Sequence, residues 1–321
     1  MRLGHFDLNL FVTLDALLET CSISRASERL HIGPSATSSA LGRLREQFGD
    51  ELLVQVGRRM QLTPLAQSLR QPVRDILLRA QATLAASDAF DPTSAKRCFV
   101  FNASDYATTV LLTPLAQMLE REAPGITIDI VSLGSNNLQR LERGEVDFAI
   151  YPNVIASPEH PQEPLFSESY SCVVWTGYHL KGDALTLDEY MAARHVAAQL
   201  GEQRVSSFES WFMSKHGVGR NVVVAASSFN ALPFLVVGTQ RIATMFTRLA
   251  RMYSRMLPLR ILPPPFEIPD LQLVMQWNRH HDLDAAHMWL RQRLQAVAAE
   301  AMNETSPSKE IASATFSLQI S

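Results

Sequence analysis

Between Pro34 and Phe48, short hydroxyl side chains and two arginines share one side of a helical pattern. Ser35, Thr37, Ser38 and Ser39 crowd the start of this stretch, and Arg43 and Arg45 follow. Ala36, Ala40, Leu41, Leu44 and Phe48 recur at helical spacing and predict a buried stripe. Small polar groups let a helix approach base edges closely, while guanidinium groups reach phosphate or guanine. Gly33 can take the cap and Pro34 the first helical position, where a missing N–H costs nothing. Upstream, Ser24 to Ile32 gives a second helical pattern, with Ser24 as candidate N-cap and Ala26, Ser27 and Leu30 as close-packing positions. Two helices about a tight break, the second carrying the polar face, make a helix-turn-helix signature. Its candidate DNA contacts are Ser24, Arg25, Ser35, Ala36, Thr37, Ser38, Ser39 and Arg43. A helical hairpin with a merely solvated Ser/Arg face is the competing interpretation, and the downstream chain weighs against it.

Other chemistries find little support. His280, His281 and His287 invite a metal, but no Cys or paired carboxylates stand at ligand spacing, so no metal is expected. Cys21, Cys98 and Cys172 are odd in number and scattered, which gives no disulfide framework. Nucleophile-elbow, P-loop and dinucleotide-binding motifs are missing from any credible context, so neither an enzyme nor a cofactor is expected. An N-terminal export signal and an 18-residue apolar run are likewise not found, which predicts a cytoplasmic protein with no membrane partner.

The remaining elements are those that would place the reading helix. Asp7 is expected to cap a support helix with Leu10, Phe11, Leu14, Leu17 and Leu18 on one face. Leu52 to Leu62 predicts a hairpin whose turn, Gly57-Arg58-Arg59, puts Arg58 and Arg59 at the tip of a wing that can touch phosphate or the minor groove. Thr63-Pro64 opens a long helix with Leu65, Leu69, Val73, Ile76, Ala80 and Leu84 near heptad spacing, a dimerisation seam about 35–40 Å long. From Ser22 to Arg79 nine arginines face five acids, whereas residues 91–321 hold nineteen basic and twenty-three acidic residues. A basic front on a mildly acidic body suits a DNA-binding head with a regulatory body.

After Arg97 strands and helices alternate. Strands are expected at 98–101, 126–131 and 146–151 with helices at 109–122 and 137–143, which predicts a parallel doubly wound sheet. Further strands are expected at 171–175, 195–198, 222–225, 242–245, 259–262 and 271–277, with helices at 207–216 and 285–300. The fold class is therefore an N-terminal α-rich winged helix-turn-helix domain joined to a two-lobed α/β domain. Its divisions are 1–64 for the head, 65–92 for the linker helix, and 93–302 for the effector domain. Lobe one takes 93–165 and 269–302, lobe two 166–268, and residues 303–321 form a Ser/Thr-rich tail expected to be disordered.

Asp7-Leu8-Asn9-Leu10, Ala26 to Leu30, Ser38 with Leu41-Gly42-Arg43-Leu44-Arg45, Leu52 to Gln55 and Leu62-Thr63-Pro64 together resemble the LysR-type transcriptional regulators. Ala89-Phe90-Asp91-Pro92, Glu122-Ala123-Pro124, Arg143 to Asp147 and Trp289-Leu290-Arg291 are similar to the branch of nodulation activators and regulators of aromatic-compound degradation. The resemblance implies a periplasmic-binding-protein-like effector domain and a homodimer or homotetramer on promoter DNA. It also implies a small-molecule inducer, aromatic by analogy with the branch, and activation through RNA polymerase. Where the family usually opens its reading helix with Gln-Pro, this chain has Pro34-Ser35, so that glutamine's base contact is not carried over.

Strand ends at 102–105, 132–136 and 151–153 would face a ligand, since open α/β sheets bind outside the carboxyl ends of their strands. Hydroxyls and backbone N–H groups at these helix starts suit a carboxylate or phenolate. Effector contacts are expected at Asn102, Ser104, Asp105, Ser135 and Tyr151, and by resemblance also at Thr108, Phe208 and Phe229. Asp105 has a helix cap as its plainer role, and Phe208 and Phe229 have core packing as theirs. A solute-binding protein or an enzyme on the same two lobes is the alternative function; the first has no use for residues 1–90, and the second calls for a paired nucleophile and base that the sequence does not show.

Overall fold

The computed structural model describes residues 6–57, 59–85, 90–134, 136–180, 182, 184–200, 205–206, 213–214, 217 and 219–303. It divides into two compact units, Met1–Ala89 and Phe90–Ser321.

In the first unit α1 (Asn9–Thr20), α2 (Ile23–Leu30) and α3 (Pro34–Phe48) enclose a core of Leu10, Leu14, Leu17, Ala26, Leu41, Leu44 and Leu53. The Asp7 carboxylate accepts from Asn9 N at 3.1 Å at the start of α1, where Leu8 holds the cap position. Ser22, not Ser24, caps α2: its backbone is extended and its hydroxyl accepts from Arg25 N. Ser24 lies two residues inside, and its carbonyl accepts from the Ser27 hydroxyl at 2.7 Å. Gly33 and Pro34 open α3 as expected, and Gly49, at φ 62°, closes it in the left-handed region that favours glycine.

The wing is the antiparallel pair β1 (Leu53–Val56) and β2 (Arg59–Leu62). Asp50 fastens its base, because one carboxylate oxygen accepts from both Leu52 N and the Thr63 hydroxyl at 2.6 Å. Thr63 also caps α4 (Pro64–Ala85), accepting from Ala66 N at 3.1 Å. The heptad seam expected on α4 divides. Leu69 and Val73 pack into the unit's core, and Arg74 pairs with Asp15 of α1 at 2.7 Å. Leu65, Ile76, Ala80 and Leu84 are exposed.

The second unit holds two mixed sheets, which corrects the expectation of an all-parallel one. In the first, β3 (Arg97–Ala103) pairs in parallel with β4 (Ile126–Ser132) and β5 (Phe148–Pro152). The late strand β13 (Leu271–Gln276) then inserts antiparallel between β5 and β6 (Gln162–Glu168). Strand β6 was not anticipated, since Pro164 interrupts a run with little alternation. The chain passes to the second sheet at Ser169, so the expected lobe boundary at 165 falls inside β6. There β10 (Asn221–Ala226), β8 (Arg194–Leu200) and β11 (Arg241–Phe246) run parallel. Strands β7 (Tyr170–Trp175) and β12 (Leu259–Leu262) extend it antiparallel, and β9 (Val205–Ser206) pairs with β8.

The helix expected from Thr109 begins four residues earlier. It runs as α5 (Asp105–Ala107), a π-helical turn (Thr108–Leu112) and α6 (Thr113–Glu122). The final helix (Ala285–Asn303) covers the first sheet through Leu290, Leu294 and Val297. The tail from residue 304 and much of the expected 207–216 helix lie outside the described residues.

Candidate nucleic-acid interface and effector cleft

On α3, Ser35, Ala36, Ser38 and Ser39 are exposed along the first turns. Thr37 is not with them: it is fully buried, its hydroxyl directed to the Gly33 carbonyl at 3.4 Å. Helical spacing explains the correction, since Thr37, Leu41, Leu44 and Phe48 fall at i, i+4, i+7 and i+11. The buried stripe therefore passes through Thr37 and leaves Ala36 outside it. Ser24 and Arg25 are exposed at the start of α2, where Arg25 donates to the Thr20 carbonyl.

The arginines part company. Arg43 stays exposed and donates to Asp7 at 3.0 Å. The Asp7 carboxyl is held below its ordinary range, first by the Asn9 N–H and then by Arg43. Arg45, by contrast, donates to the carbonyls of Glu51 at 2.8 Å and Leu53 at 2.9 Å, tying α3 to the wing. Its expected place on the reading face is thus corrected to a structural one. Arg59 is exposed at the wing's turn, where Gly57 takes φ 63°; Arg58 lies outside the described residues.

Four of the expected effector residues cluster at the carboxyl end of β3. The Ser104 hydroxyl caps α5, accepting from Ala107 N at 3.2 Å, and the Thr108 hydroxyl donates to the Ser104 carbonyl at 3.0 Å. Asn102 is fully buried, its amide donating to the Val131 and Ser132 carbonyls at 3.1 and 3.0 Å, which stitches β3 to β4. Asp105 reaches the other lobe. One carboxylate oxygen accepts from the Ser228 hydroxyl at 2.7 Å and from Asn230 N at 2.9 Å. Asn230 answers by donating its amide to the Asp105 carbonyl at 3.2 Å and to the Thr109 hydroxyl at 2.9 Å.

Tyr151 is buried with its hydroxyl on Gln276, and burial pushes its phenol up to about 12. Phe229 packs in a ring cluster with Phe246 at 4.9 Å and Tyr106 at 6.4 Å. Both therefore sit in the core. Ser135 and Phe208 lie outside the described residues.

Sequence reasoning missed Ser228, Asn230, Glu168 and Arg248. The first two follow the carboxyl end of β10, and the sheet rule applied there would have found them. Glu168 and Arg248 pair at 3.1 Å where the two sheets meet, and Tyr106 donates its hydroxyl to the same carboxylate. No local signal marks a contact spanning so much sequence.

The fold brings Asp147, His281 and His287 together, carboxylate included. Arg97 supplies the cation there, reaching Asp284 at 2.5 Å and Asp147 at 3.6 Å. Burial holds the His287 imidazole well below its ordinary pKa and keeps it neutral, with one ring nitrogen 3.2 Å from the Asp147 carbonyl.

Residues 8–67 match the bacterial regulatory helix-turn-helix of the lysR family, and residues 96–299 match the LysR substrate binding domain. The chain belongs to the LysR family. It is 37% identical over 291 residues to Nodulation protein D 1 of Rhizobium leguminosarum bv. phaseoli, covering 91% of this chain and 93% of that protein. Nodulation protein D 3 of Rhizobium meliloti is 38% identical over 302 residues, with 93% and 96% covered. Among solved structures, a transcriptional regulator of Pseudomonas aeruginosa superposes with a TM-score of 0.62 at 31% identity, over 92% of this chain and 98% of that one. Full-length OxyR of the same organism shares the fold, with a TM-score of 0.68 at 15% identity over 92% and 95%. This LysR-family chain is thus a transcriptional regulator with a DNA-binding helix-turn-helix and an effector-binding domain, not an enzyme. No helix among the described residues is long and apolar enough to cross a membrane.

Proposed function

We propose that two copies of this LysR-family regulator place their α3 helices in successive major grooves of promoter DNA. The observation that carries this reading is the exposed small-residue surface of Ser35, Ala36, Ser38 and Ser39, which lets the helix backbone approach base edges. Ser24 and Arg25 are exposed on α2, Arg43 follows Ser39 one turn along α3, and Arg59 at the wing's turn reaches the phosphates, with its sequence neighbour Arg58 assigned the same role from the sequence. Leu65, Ile76, Ala80 and Leu84, with Val12 of α1 beside them in exposure, form the apolar stripe that a second copy would cover as homodimer or homotetramer.

A small inducer binds between the lobes near Ser104, Asp105 and Thr108, with Asn102 on β3 and, from the sequence alone, Ser135 as further candidates. An aromatic inducer is carried over from the resemblance alone, since Tyr106, Phe229 and Phe246 pack on one another in the core and Tyr151 is bonded to Gln276; Phe208 is the remaining aromatic candidate. The protein acts in the cytoplasm as an activator, and RNA polymerase is the partner that receives the signal. Ser104→Ala tests the effector half: inducer response falls while operator affinity stays within twofold. Loss of operator binding in this variant would make Ser104 structural and remove the cleft's central contact.

A further inference from the structure

We infer that Asp105 is an internal carboxylate seated on a carboxylate receptor between the lobes. It thereby sets the ligand class of the cleft: a molecule that donates hydrogen bonds and carries no carboxylate at this end. This rests on the reading that the effector sits between the lobes, and it names what that effector is.

The Ser228 hydroxyl and the Asn230 N–H converge on one oxygen of Asp105 at 2.7 and 2.9 Å. Both donors belong to the loop after β10, at the carboxyl end of a parallel strand. That is where open α/β sheets hold their ligands, and paired O–H and N–H donors are how a ligand carboxylate is held. Here the chain's own side chain already fills the place. A second carboxylate brought alongside meets like charge and finds these donors taken.

What remains is rich in acceptors. Asn102 turns its amide nitrogen to two carbonyls, which fixes its orientation and leaves its fully buried Oδ1 without a partner among the described residues. The second oxygen of Asp105 takes no part in either cross-lobe bond. A ligand hydroxyl or amine suits the second Asp105 oxygen; a carboxylate does not. The π-helical turn Thr108–Leu112 begins here, and the Asp105 carbonyl accepts from both the Thr109 hydroxyl and the Asn230 amide. Single π turns within α-helices recur at functional positions.

The test needs no inducer, so its failure is separable from failure of the effector reading. Full-length wild type, Asp105→Ala and Asp105→Asn are melted across a sodium acetate series against sodium chloride at equal ionic strength. Acetate fills the donors vacated in Asp105→Ala, and its melting temperature rises saturably, by about 3–6 °C at ten times the dissociation constant. Wild type and Asp105→Asn, whose amide oxygen still occupies the donors, follow the chloride series. The proposal is overturned if Asp105→Ala also follows chloride, or if wild type gains as much from acetate as the variant. Should Asp105→Ala not fold, Asp105→Ser leaves the same donors open and is titrated in its place, with the same two results deciding.

Discussion

Glu168 ends β6, the edge strand of one lobe, and holds the first turn of a helix in the other. Its carboxylate accepts from Tyr106, from Arg248 Nε at 3.1 Å and from Arg248 N at 3.2 Å. The two side chains of the ion pair are only 3% and 11% exposed. Burial first, and then the Glu168 charge, push the Tyr106 phenol well above its ordinary pKa, so it remains a donor. Glu168→Gln keeps the shape and removes the charge, leaving a nearly buried guanidinium without this carboxylate. Breaking a buried pair from one side costs about 3–5 kcal/mol, whereas an exposed pair is worth about 0–1 kcal/mol. At about 2–4 °C per kcal/mol for a domain of this size, the effector domain's melting temperature falls by roughly 6–20 °C. Calorimetry on wild type, Glu168→Gln, Arg248→Met and the double variant measures it, with the double variant recovering part of the loss. A fall under about 2 °C, or strict additivity in the double variant, refutes the reasoning.

Other consequences concern the head. Arg59→Ala weakens binding to every duplex and lowers the slope of log affinity against log salt by about 0.9, as measured by anisotropy over a salt series; an unchanged slope means Arg59 touches no phosphate. Arg43→Ala costs about 1–3 kcal/mol on the operator and little on random DNA, whereas equal losses on both would make Arg43 a phosphate contact. Ile76→Asp places a charge in the exposed stripe of α4 and shifts sedimentation toward the monomer; an unaltered mass at the same concentration would remove that face from the interface.

Most of the head was legible because local rules decide it. Gly33-Pro34, Thr63-Pro64 and the 41–44–48 spacing each act within a turn or two of helix. Thr37 departs from expectation because its helical register, not its hydroxyl, decides its face and puts it in the buried stripe. Ser22 rather than Ser24 is the cap because two serines two residues apart differ only in backbone angle, which composition does not reveal. In the effector domain most strands, though not β6, are readable from their apolar runs, but their pairing is not. Strand β13 comes from more than a hundred residues away to pair with β5, and no local pattern encodes that. The same holds for the cleft. Ser104 and Asp105 follow from one strand end and Ser228 and Asn230 from another, but their pairing across the lobes is encoded in neither stretch.

The central claim is that α3 reads sequence. The most direct measurement is the affinity of the full-length protein for the duplex upstream of its own reading frame, against random duplex of equal length at moderate salt. A preference of about 10³ or more, lost when Ser35, Ser38 and Ser39 are replaced together by glutamate, is the predicted result. Equal affinity for both duplexes, or a preference untouched by those replacements, would contradict it.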